Sequence, residues 1–258
     1  MRYTLGMKPT LYYYKGIASY DGTDYSGWQL QKTHTTIQGE IERVLRKIFD
    51  VEIIRLHGAS RTDAGVHSHG QTFNFKTAKL IPPDKLRLGM NSLLPMDIFI
   101  NALEMTDSSF HSRFMAQGKH YVYRFSFPPD PLKIRYAYAL LISPDFVKME
   151  EAAPLFEGTH DFSGFRNLGK DKSENTVCTI HQCRLVQTNG MYELNIKGDR
   201  FLYNMIRIMA GTLLYIGFGK LTASDITDTF ETLDRSKTGK TLTPNGLTLE
   251  KVYYEPIE

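Results

Sequence analysis

The sequence predicts an α+β protein made of two halves, residues 1–109 and 110–258. Two observations support this fold class. In both halves, short segments in which apolar and polar residues alternate, as in strands, are separated by longer segments with apolar residues at helical spacing. In the first half these segments follow the order strand, helix, strand, strand, helix, strand, which is the order of a ferredoxin-like fold.

In the first half, each predicted element rests on a local sequence pattern. Residues 12–20 alternate as a strand does, and Ile37, Ile41 and Val44 recur at the spacing of one helix face. Two prolines at 82 and 83 are typical of a helix start. The predicted elements are a strand at 12–20, a helix at 36–49, strands at 52–57 and 71–76, a helix at 85–93 and a strand at 97–105.

The second half continues in the same way. Tyr and Phe alternate in a strand that ends at Pro128, and Asn189-Gly190 is a typical hairpin turn. Thr222 is expected to be a helix N-cap. The predicted elements are a strand at 119–127, a helix at 145–156, a hairpin at 178–188 and 191–197, helices at 203–218 and 221–233, a polar loop at 234–245 and a strand at 247–254.

Composition excludes several classes of protein. No apolar run reaches the roughly 18–20 residues of a membrane span, and the N-terminus lacks an apolar signal core, so we expect a cytoplasmic protein. The net charge of +3 is only a weak indication of a nucleic-acid partner. Cys178 and Cys183, the two cysteines, are an odd number of residues apart on a predicted strand. We therefore expect them on opposite faces, without a disulfide.

The candidate functional segment is the loop at residues 58–67, which reads GASRTDAGVH. It places Asp63 at the centre of a polar segment between glycines, and it connects two predicted strands. Glycines allow a tight turn and the close approach of another molecule, and loops held by strands often carry catalytic groups. The residues alone leave a simpler alternative open, a polar turn in which Asp63 bonds its own backbone.

This loop resembles the signature of tRNA pseudouridine synthases of the TruA type, and further segments match that family in the same order. The resemblance extends from about Tyr14 to Tyr254. The matching segments are YDGTDYSGWQ at 20–29, TIQGE at 36–40, NSLLP at 91–95, FHSRF at 110–114, KHYVYRF at 119–125, GTHDF at 158–162, FLYNMIR at 201–207 and GLTL at 246–249.

The resemblance implies both a fold and an activity. The family fold is a pair of ferredoxin-like halves whose sheets join into one mostly antiparallel sheet, with the active site in a central cleft. The family reaction detaches uracil from its ribose, rotates it and rejoins it through C5. The resemblance therefore implies a tRNA substrate modified at positions 38, 39 and 40 of the anticodon stem-loop, no cofactor, and a homodimer in which each tRNA touches both subunits.

The resemblance also implies that Asp63 is the catalytic carboxylate. A carboxylate can attack a carbon of the sugar or the base, or it can remove a proton from the sugar, and the sequence does not choose among these routes. Arg61 is either a charge partner that lowers the pKa of Asp63 or, as in the family, the residue that displaces the target base. Displacement must overcome an unstacking cost of a few kcal/mol.

Two further residues are expected to be catalytic. Tyr121 matches the family tyrosine that stacks on the target uracil, although Tyr123 and Phe125 share its face and the residues alone indicate a core position. Arg207 lies in an otherwise apolar predicted helix, where a charge should be paired or should line a cleft. The resemblance implies that Arg207 pairs with Asp63, which would keep the carboxylate ionised and fix its direction.

Other residues are expected to support binding or the loop. Trp28 and Tyr25 are expected to pack against the motif loop, and His67 to order it; no metal site is expected. Lys170 and Lys172, in the polar loop at 166–175, could add phosphate contacts. Contacts to RNA phosphates, which position a substrate without specifying it, are expected from Arg113, His111, Arg166 and Lys119.

Three alternatives stay open. The chain could be a pseudouridine synthase with another tRNA specificity, or a non-catalytic tRNA-binding protein of the same fold. The joint presence of Asp63, Arg61, Tyr121 and Arg207 argues against the second of these. A small-molecule enzyme is a third alternative, for which the sequence has no positive motif.

Overall fold

The computed structural model describes residues 10–167, 175–188 and 190–257, and in these residues it is a mixed α+β fold, as predicted. The described residues form ten strands of one sheet, in which most neighbouring strands are antiparallel. Within the described residues, every helix is too short or too polar to cross a membrane. Lys170, Lys172 and the predicted turn residue Asn189 lie outside the described residues.

The first half builds a four-strand unit with two helices. Thr36 starts α1, because its hydroxyl accepts a hydrogen bond from the Gly39 amide at 3.2 Å, as an N-cap does. The elements are β1 (Tyr12–Tyr20), α1 (Ile37–Phe49), β2 (His57–Gly58), β3 (His67–Thr77), α2 (Pro83–Leu93) and β4 (Ile98–Met105). In space the strands run β4-β1-β3, with β2 on the far edge of β3.

The second half repeats this arrangement. Its strands run β10-β5-β9-β8-β7, so that its last strand again lies beside its first. The elements are β5 (Gly118–Ser126), β6 (Tyr138–Ala139), α3 (Phe146–Ala152), β7 (Gly158–Asp161), β8 (Val177–Thr188), β9 (Met191–Gly198), α4 (Met205–Gly217), α5 (Ser224–Thr232) and β10 (Leu247–Tyr253), with 3₁₀ turns at Ala153–Phe156, Phe162–Phe165, Arg235–Lys237 and Pro244–Gly246.

The two halves join through β10. This last strand lies between β3 and β5, parallel to β3 and antiparallel to β5. Leu249 is paired with Ser68 of β3 on one side and with Tyr121 of β5 on the other. The joint therefore brings the start of β3, which follows the motif loop, within about two strand spacings, or about 10 Å, of Tyr121.

Two hydrophobic clusters pack on this sheet. One is formed by residues of the first half, including Trp28, Phe49 and Phe73. The other is formed by the second half, but it also contains Ala59 and Val66 from the motif loop. The loop is thus anchored in the core of the opposite half, while the division of the chain at residue 109 stays a prediction.

The predicted strand at 52–57 is wrong, since only His57 and Gly58 pair in the sheet. The backbone of the preceding segment bonds to α1 instead. The Leu56 amide donates to the Glu42 carboxylate at 3.0 Å, and the Leu56 carbonyl accepts from Gln38 Nε2 at 3.1 Å. The apolar residues alternate in this segment because alternate side chains are buried, although the segment does not pair as a strand.

Three further predictions need correction. The helix at 145–156 changes to a 3₁₀ turn after Ala152, where Pro154 has no amide hydrogen to donate. α5 has Ala223 at its N-cap position, and Thr222 instead donates its amide to Asp225 at 2.7 Å. Cys178 and Cys183 form no disulfide, as expected, but both are buried instead of lying on opposite faces of β8, because a register shift between Ile180 and Gln182 breaks the strict alternation.

Candidate active site

A cavity of about 890 Å³ lies beside the joint between the halves. It is bounded by the motif loop, by β5 and by the segment that leads into α4. Six of the eight residues that the sequence analysis nominated line it, namely Arg61, Asp63, Arg113, Lys119, Tyr121 and Arg207. Four cations and one carboxylate therefore face the same space, which suits a polyanionic ligand.

The motif loop is held from the side of β3. The Ala59 amide donates to the Thr72 carbonyl at 2.8 Å. The side chain of Gln71 bridges to the backbone of Ser60 twice, accepting from its amide at 3.1 Å and donating to its carbonyl at 2.6 Å. These bonds extend the rigidity of the sheet into the loop just before Arg61.

The segment that follows β1 holds the other side of the loop. The Trp28 amide donates to the Thr62 carbonyl at 3.1 Å, and the Gly65 amide donates to the Tyr25 carbonyl at 3.3 Å. The Thr62 hydroxyl lies 2.8 Å from the Tyr20 hydroxyl. Trp28 and Tyr25 thus pack against the motif loop as predicted, and Asp63 lies between the anchored residues Thr62 and Gly65.

Asp63 faces Arg207 across the cavity. Arg207 Nη1 lies 3.7 Å from Asp63 Oδ2, which is an ion pair but too long for a hydrogen bond. In the described part of the chain, the Asp63 carboxylate makes no hydrogen bond to its own backbone, so the alternative of a self-capping polar turn is wrong. Burial raises the pKa of Asp63, and the positive charge of Arg207 opposes this shift without cancelling it.

Arg207 is oriented by two other acceptors. Its Nε donates to the Leu242 carbonyl at 2.6 Å, and its Nη1 donates to Asn204 Oδ1 at 2.7 Å. Asn204 immediately precedes α4 and has a left-handed backbone, with φ of +60°. The guanidinium is therefore fixed independently of Asp63, and the carboxylate oxygens stay open towards the cavity.

Tyr121 belongs both to the hydrophobic core and to the wall of the cavity, the two positions that the sequence left open. Its ring is 6% exposed and packs edge-on against Phe201, with centroids 5.3 Å apart, yet it borders the cavity. Its hydroxyl lies 2.6 Å from Ser60 Oγ. Burial raises the pKa of Tyr121, so the phenol is protonated at neutral pH.

Arg61 is exposed at the cavity wall. Among the described residues it has neither an ion pair nor a hydrogen bond from its side chain, and Arg207 is the cation that acts on the pKa of Asp63. The alternative in which Arg61 is the charge partner of Asp63 is therefore wrong. Its free guanidinium is available to a ligand.

The four nominated phosphate-binding residues divide into two pairs. Lys119 and Arg113 line the cavity, and burial together with the Arg113 charge lowers the pKa of Lys119. His111 and Arg166 lie outside the wall as the described residues define it. His111 Nδ1 accepts from the amide of Arg113 at 3.2 Å, which organises this turn, and Arg166 follows the 3₁₀ turn Phe162–Phe165.

His67 connects the end of the motif loop to the segment that follows β1. Its Nδ1 accepts a hydrogen bond from the Gly22 amide at 3.1 Å, and burial lowers the pKa of the imidazole. Within the described residues, no group of three or more His, Cys, Asp or Glu is placed to hold a metal ion.

Three groups that hydrogen-bond to Tyr121 or Arg207 were not predicted from the sequence, namely Ser60, Asn204 and the Leu242 carbonyl. Ser60 lies inside the motif, but no spacing rule relates it to Tyr121, 61 residues later. A backbone carbonyl such as that of Leu242 has no side-chain signal at all.

Comparisons with known proteins agree on one family. A model of the tRNA pseudouridine synthase family matches residues 17–115 and 152–255. The tRNA pseudouridine synthase A of Acetivibrio thermocellus is 42% identical over 243 residues, which is 93% of this chain and 98% of that protein. The protein of the same name from Clostridium kluyveri is 40% identical over 242 residues, covering 93% and 98% of the two chains.

Similarity to solved structures is weaker. A crystal structure of a Cbf5-Nop10-Gar1 complex is 12% identical with a TM-score of 0.36, and the match covers 96% of this chain and 59% of that chain.

Proposed function

This chain belongs to the tRNA pseudouridine synthase family, and on that premise we propose that it converts uridines 38, 39 and 40 of tRNA to pseudouridine with Asp63 as the catalytic carboxylate. The observation that carries the proposal is the ion pair of Asp63 with Arg207, 3.7 Å apart in a cavity lined by cations. A half-buried carboxylate with a fixed counter-ion and open oxygens is suited to act on a bound base or sugar.

The reaction breaks the bond between N1 of uracil and C1′ of ribose and forms a bond between C5 and C1′. The proton on C5 leaves and N1 gains a proton, so the substrate is isomerised without oxidation or reduction. For this reason we expect no cofactor. Asp63 either attacks a carbon or removes a sugar proton, and both roles require its ionised form.

Tyr121 and Arg61 are assigned to the target nucleotide. Tyr121 lines the cavity and carries an aromatic ring and a protonated hydroxyl, which suit stacking on uracil and hydrogen bonding to it. Arg61, with its free and exposed guanidinium, is placed to fill the position that the displaced base leaves in the stem. Ion pairing within the protein would prevent this role.

The remaining cations are assigned to the RNA backbone. Arg113 and Lys119 lie in the cavity wall and would contact phosphates near the target. His111 and Arg166, which lie outside that wall, would contact phosphates further along the stem. As the resemblance implies, the protein would act as a homodimer in the cytoplasm, with each tRNA touching both subunits; light scattering of the free protein and of the tRNA complex tests the stoichiometry.

The test is the position of modification. We would use unmodified tRNA transcripts with a single uridine in the anticodon arm, at position 38, 39 or 40, and follow release of tritium from C5-labelled uridine. We expect release from each transcript. Conversion only at uridines elsewhere would overturn the assigned positions and favour a synthase of other specificity. Binding without any release would leave a tRNA-binding protein that is not an enzyme.

A further inference from the structure

A hydrogen bond connects the motif loop directly to β5. Ser60 Oγ and Tyr121 Oη are 2.6 Å apart, and both residues line the cavity. The distance lies within the normal range for O–H···O bonds. In the described part of the chain, neither hydroxyl has another hydrogen-bond partner, so each depends on the other for its orientation.

Ser60 is a fixed point on the loop side. Its amide and its carbonyl are both bonded to the side chain of Gln71, at 3.1 and 2.6 Å. Gln71 belongs to β3 and is completely buried. Because these bonds use the backbone of Ser60, its hydroxyl is free to serve Tyr121, and replacement of Ser60 leaves the anchoring of the loop intact.

The packing of Tyr121 fixes its ring but leaves one degree of freedom. β5 is paired on both sides, with Leu249 of β10 and Ile196 of β9 opposite Tyr121. Phe201 packs against the ring at an interplanar angle of 81°. These contacts set the ring plane, but they do not set the direction of the phenolic O–H, which rotates about the C–O bond.

The charge of Asp63 indicates which hydroxyl donates. Its negative charge acts on Tyr121 and favours the protonated phenol. If Tyr121 donated to Ser60, its proton would point towards Ser60 and not towards Asp63, and the Ser60 proton would lack an acceptor among the described residues. If Ser60 donates, the Tyr121 proton is free to face Asp63 and the cavity, and the hydroxyl group of Ser60 is satisfied.

We propose that Ser60 is a positioning residue that donates a hydrogen bond to the hydroxyl oxygen of Tyr121 and thereby directs the Tyr121 proton into the cavity. The inference rests on the proposed function insofar as this proton would then be offered to the target nucleotide. It assigns to Tyr121 the role of a hydrogen-bond donor rather than a base.

The consequence is specific to turnover. Without Ser60, the ring of Tyr121 keeps its place and can still stack on the base, so substrate binding is preserved. The hydroxyl proton loses its fixed direction. The loss of one neutral hydrogen bond predicts a decrease in kcat of about 3- to 10-fold, with KM nearly unchanged.

The test compares Ser60→Ala with Ser60→Thr, which retains a hydroxyl, in both the wild-type and Tyr121→Phe backgrounds. Ser112→Ala is the matched control, because Ser112 donates its hydroxyl to the His57 carbonyl at 2.7 Å and, among the described residues, has no hydrogen bond to Tyr121. A second readout, independent of activity, is the ¹⁹F resonance of 3-fluorotyrosine placed at position 121 alone.

We expect Ser60→Ala to lower kcat and to shift the ¹⁹F resonance, Ser60→Thr to restore both, and Ser60→Ala to have no effect when Tyr121 is already Phe. An unchanged ¹⁹F resonance in Ser60→Ala would overturn the proposal whether or not the protein makes pseudouridine. An equal loss of kcat in the Tyr121→Phe background would also overturn it, because Ser60 would then act by another route.

Discussion

Arg207 acts on Asp63 as a charge and not as a hydrogen-bond donor. Its Nη1 is 3.7 Å from Asp63 Oδ2, while its short bonds go to the Leu242 carbonyl and to Asn204. Burial and the Arg207 charge act on the pKa of Asp63 in opposite directions, and burial is the stronger effect. The carboxylate is therefore neither fully neutralised nor fully solvated, which suits the catalytic role that we propose for it.

Replacement of Arg207 should therefore change the pH dependence of turnover. In Arg207→Gln the opposing charge is gone, so the pKa of Asp63 rises further and less of the carboxylate is ionised at pH 7. We expect the acid limb of the kcat–pH profile to move to higher pH, and kcat at pH 7 to fall at least about tenfold. Arg207→Lys should return the limb towards the wild-type position. An unmoved limb in Arg207→Gln would refute this electrostatic role.

Replacement of Arg61 should lower the rate without changing the pH dependence, in contrast to replacement of Arg207. Since Arg61 has no ion pair with Asp63 among the described residues, Arg61→Ala should leave the acid limb where it is. The rate should nevertheless decrease, because base displacement loses the group that fills the vacated space. Single-turnover rates measured from pH 5 to 8 check both expectations. A shifted limb would mean that Arg61 acts on Asp63 after all.

Gly27 tests the anchoring of the loop. Its φ of +85° is unfavourable for other residues, and a Cβ there would lie 2.6 Å from the Thr62 carbonyl oxygen, one residue before Asp63. Gly27→Ala should destabilise the protein by about 1–3 kcal/mol and reduce kcat by displacing Asp63. Gly219→Ala is the control, because Gly219 has φ of +65° and open space around it. Equal kcat in the two variants would contradict this account.

Glu250 tests the joint between the halves. On β10, it accepts from Arg124 of β5 at 2.7 Å and lies 2.8 Å from His69 of β3. These partners outweigh burial and lower the pKa of Glu250 from 4.5 to about 2. The ionised carboxylate therefore contributes stability above pH 4.5, which is lost as the pH falls towards 2.

Glu250→Gln should accordingly lower the free energy of unfolding at pH 7 by about 1–3 kcal/mol. Urea titrations at several pH values should show the difference from wild type shrinking below pH 4.5. Glu231→Gln, at an exposed position of α5, should cost less than about 0.5 kcal/mol. A difference at pH 7 that persists unchanged to pH 3 would refute the assignment to the ionised carboxylate.

The sequence predicted most of the fold because its strands and helices are locally periodic. It predicted a strand at 52–57 that does not form, because Glu42 and Gln38 of α1 take the hydrogen bonds of Leu56. Short pairings such as β6 and β7 have too few residues for a periodic signal. The family resemblance implied that the two sheets join, but the place of β10 between β3 and β5 was not predicted, since pairing between distant segments leaves no local pattern.

The residues of the candidate site also differ in how far the sequence could predict them. Arg207 could be predicted, because a charge in an apolar helix needs a partner or a cleft. The predicted roles of Asp63 and Tyr121 depended on the family resemblance. From the residues alone, a polar turn and a core tyrosine explained the local sequence equally well. The hydrogen bond between Ser60 and Tyr121 could not be predicted from the sequence, because the motif loop and β5 come together only in the folded protein.

The most direct test of the central claim is single-turnover conversion of tRNA by Asp63→Asn, with tRNA binding measured in parallel. The substitution keeps the size of the side chain and removes a charge that burial disfavours, so folding should be preserved. Asp228→Asn, at an exposed position of α5, is the control. We predict at least about a thousandfold loss of conversion in Asp63→Asn, with tRNA affinity retained. Conversion within tenfold of wild type would contradict the claim that Asp63 performs the chemistry.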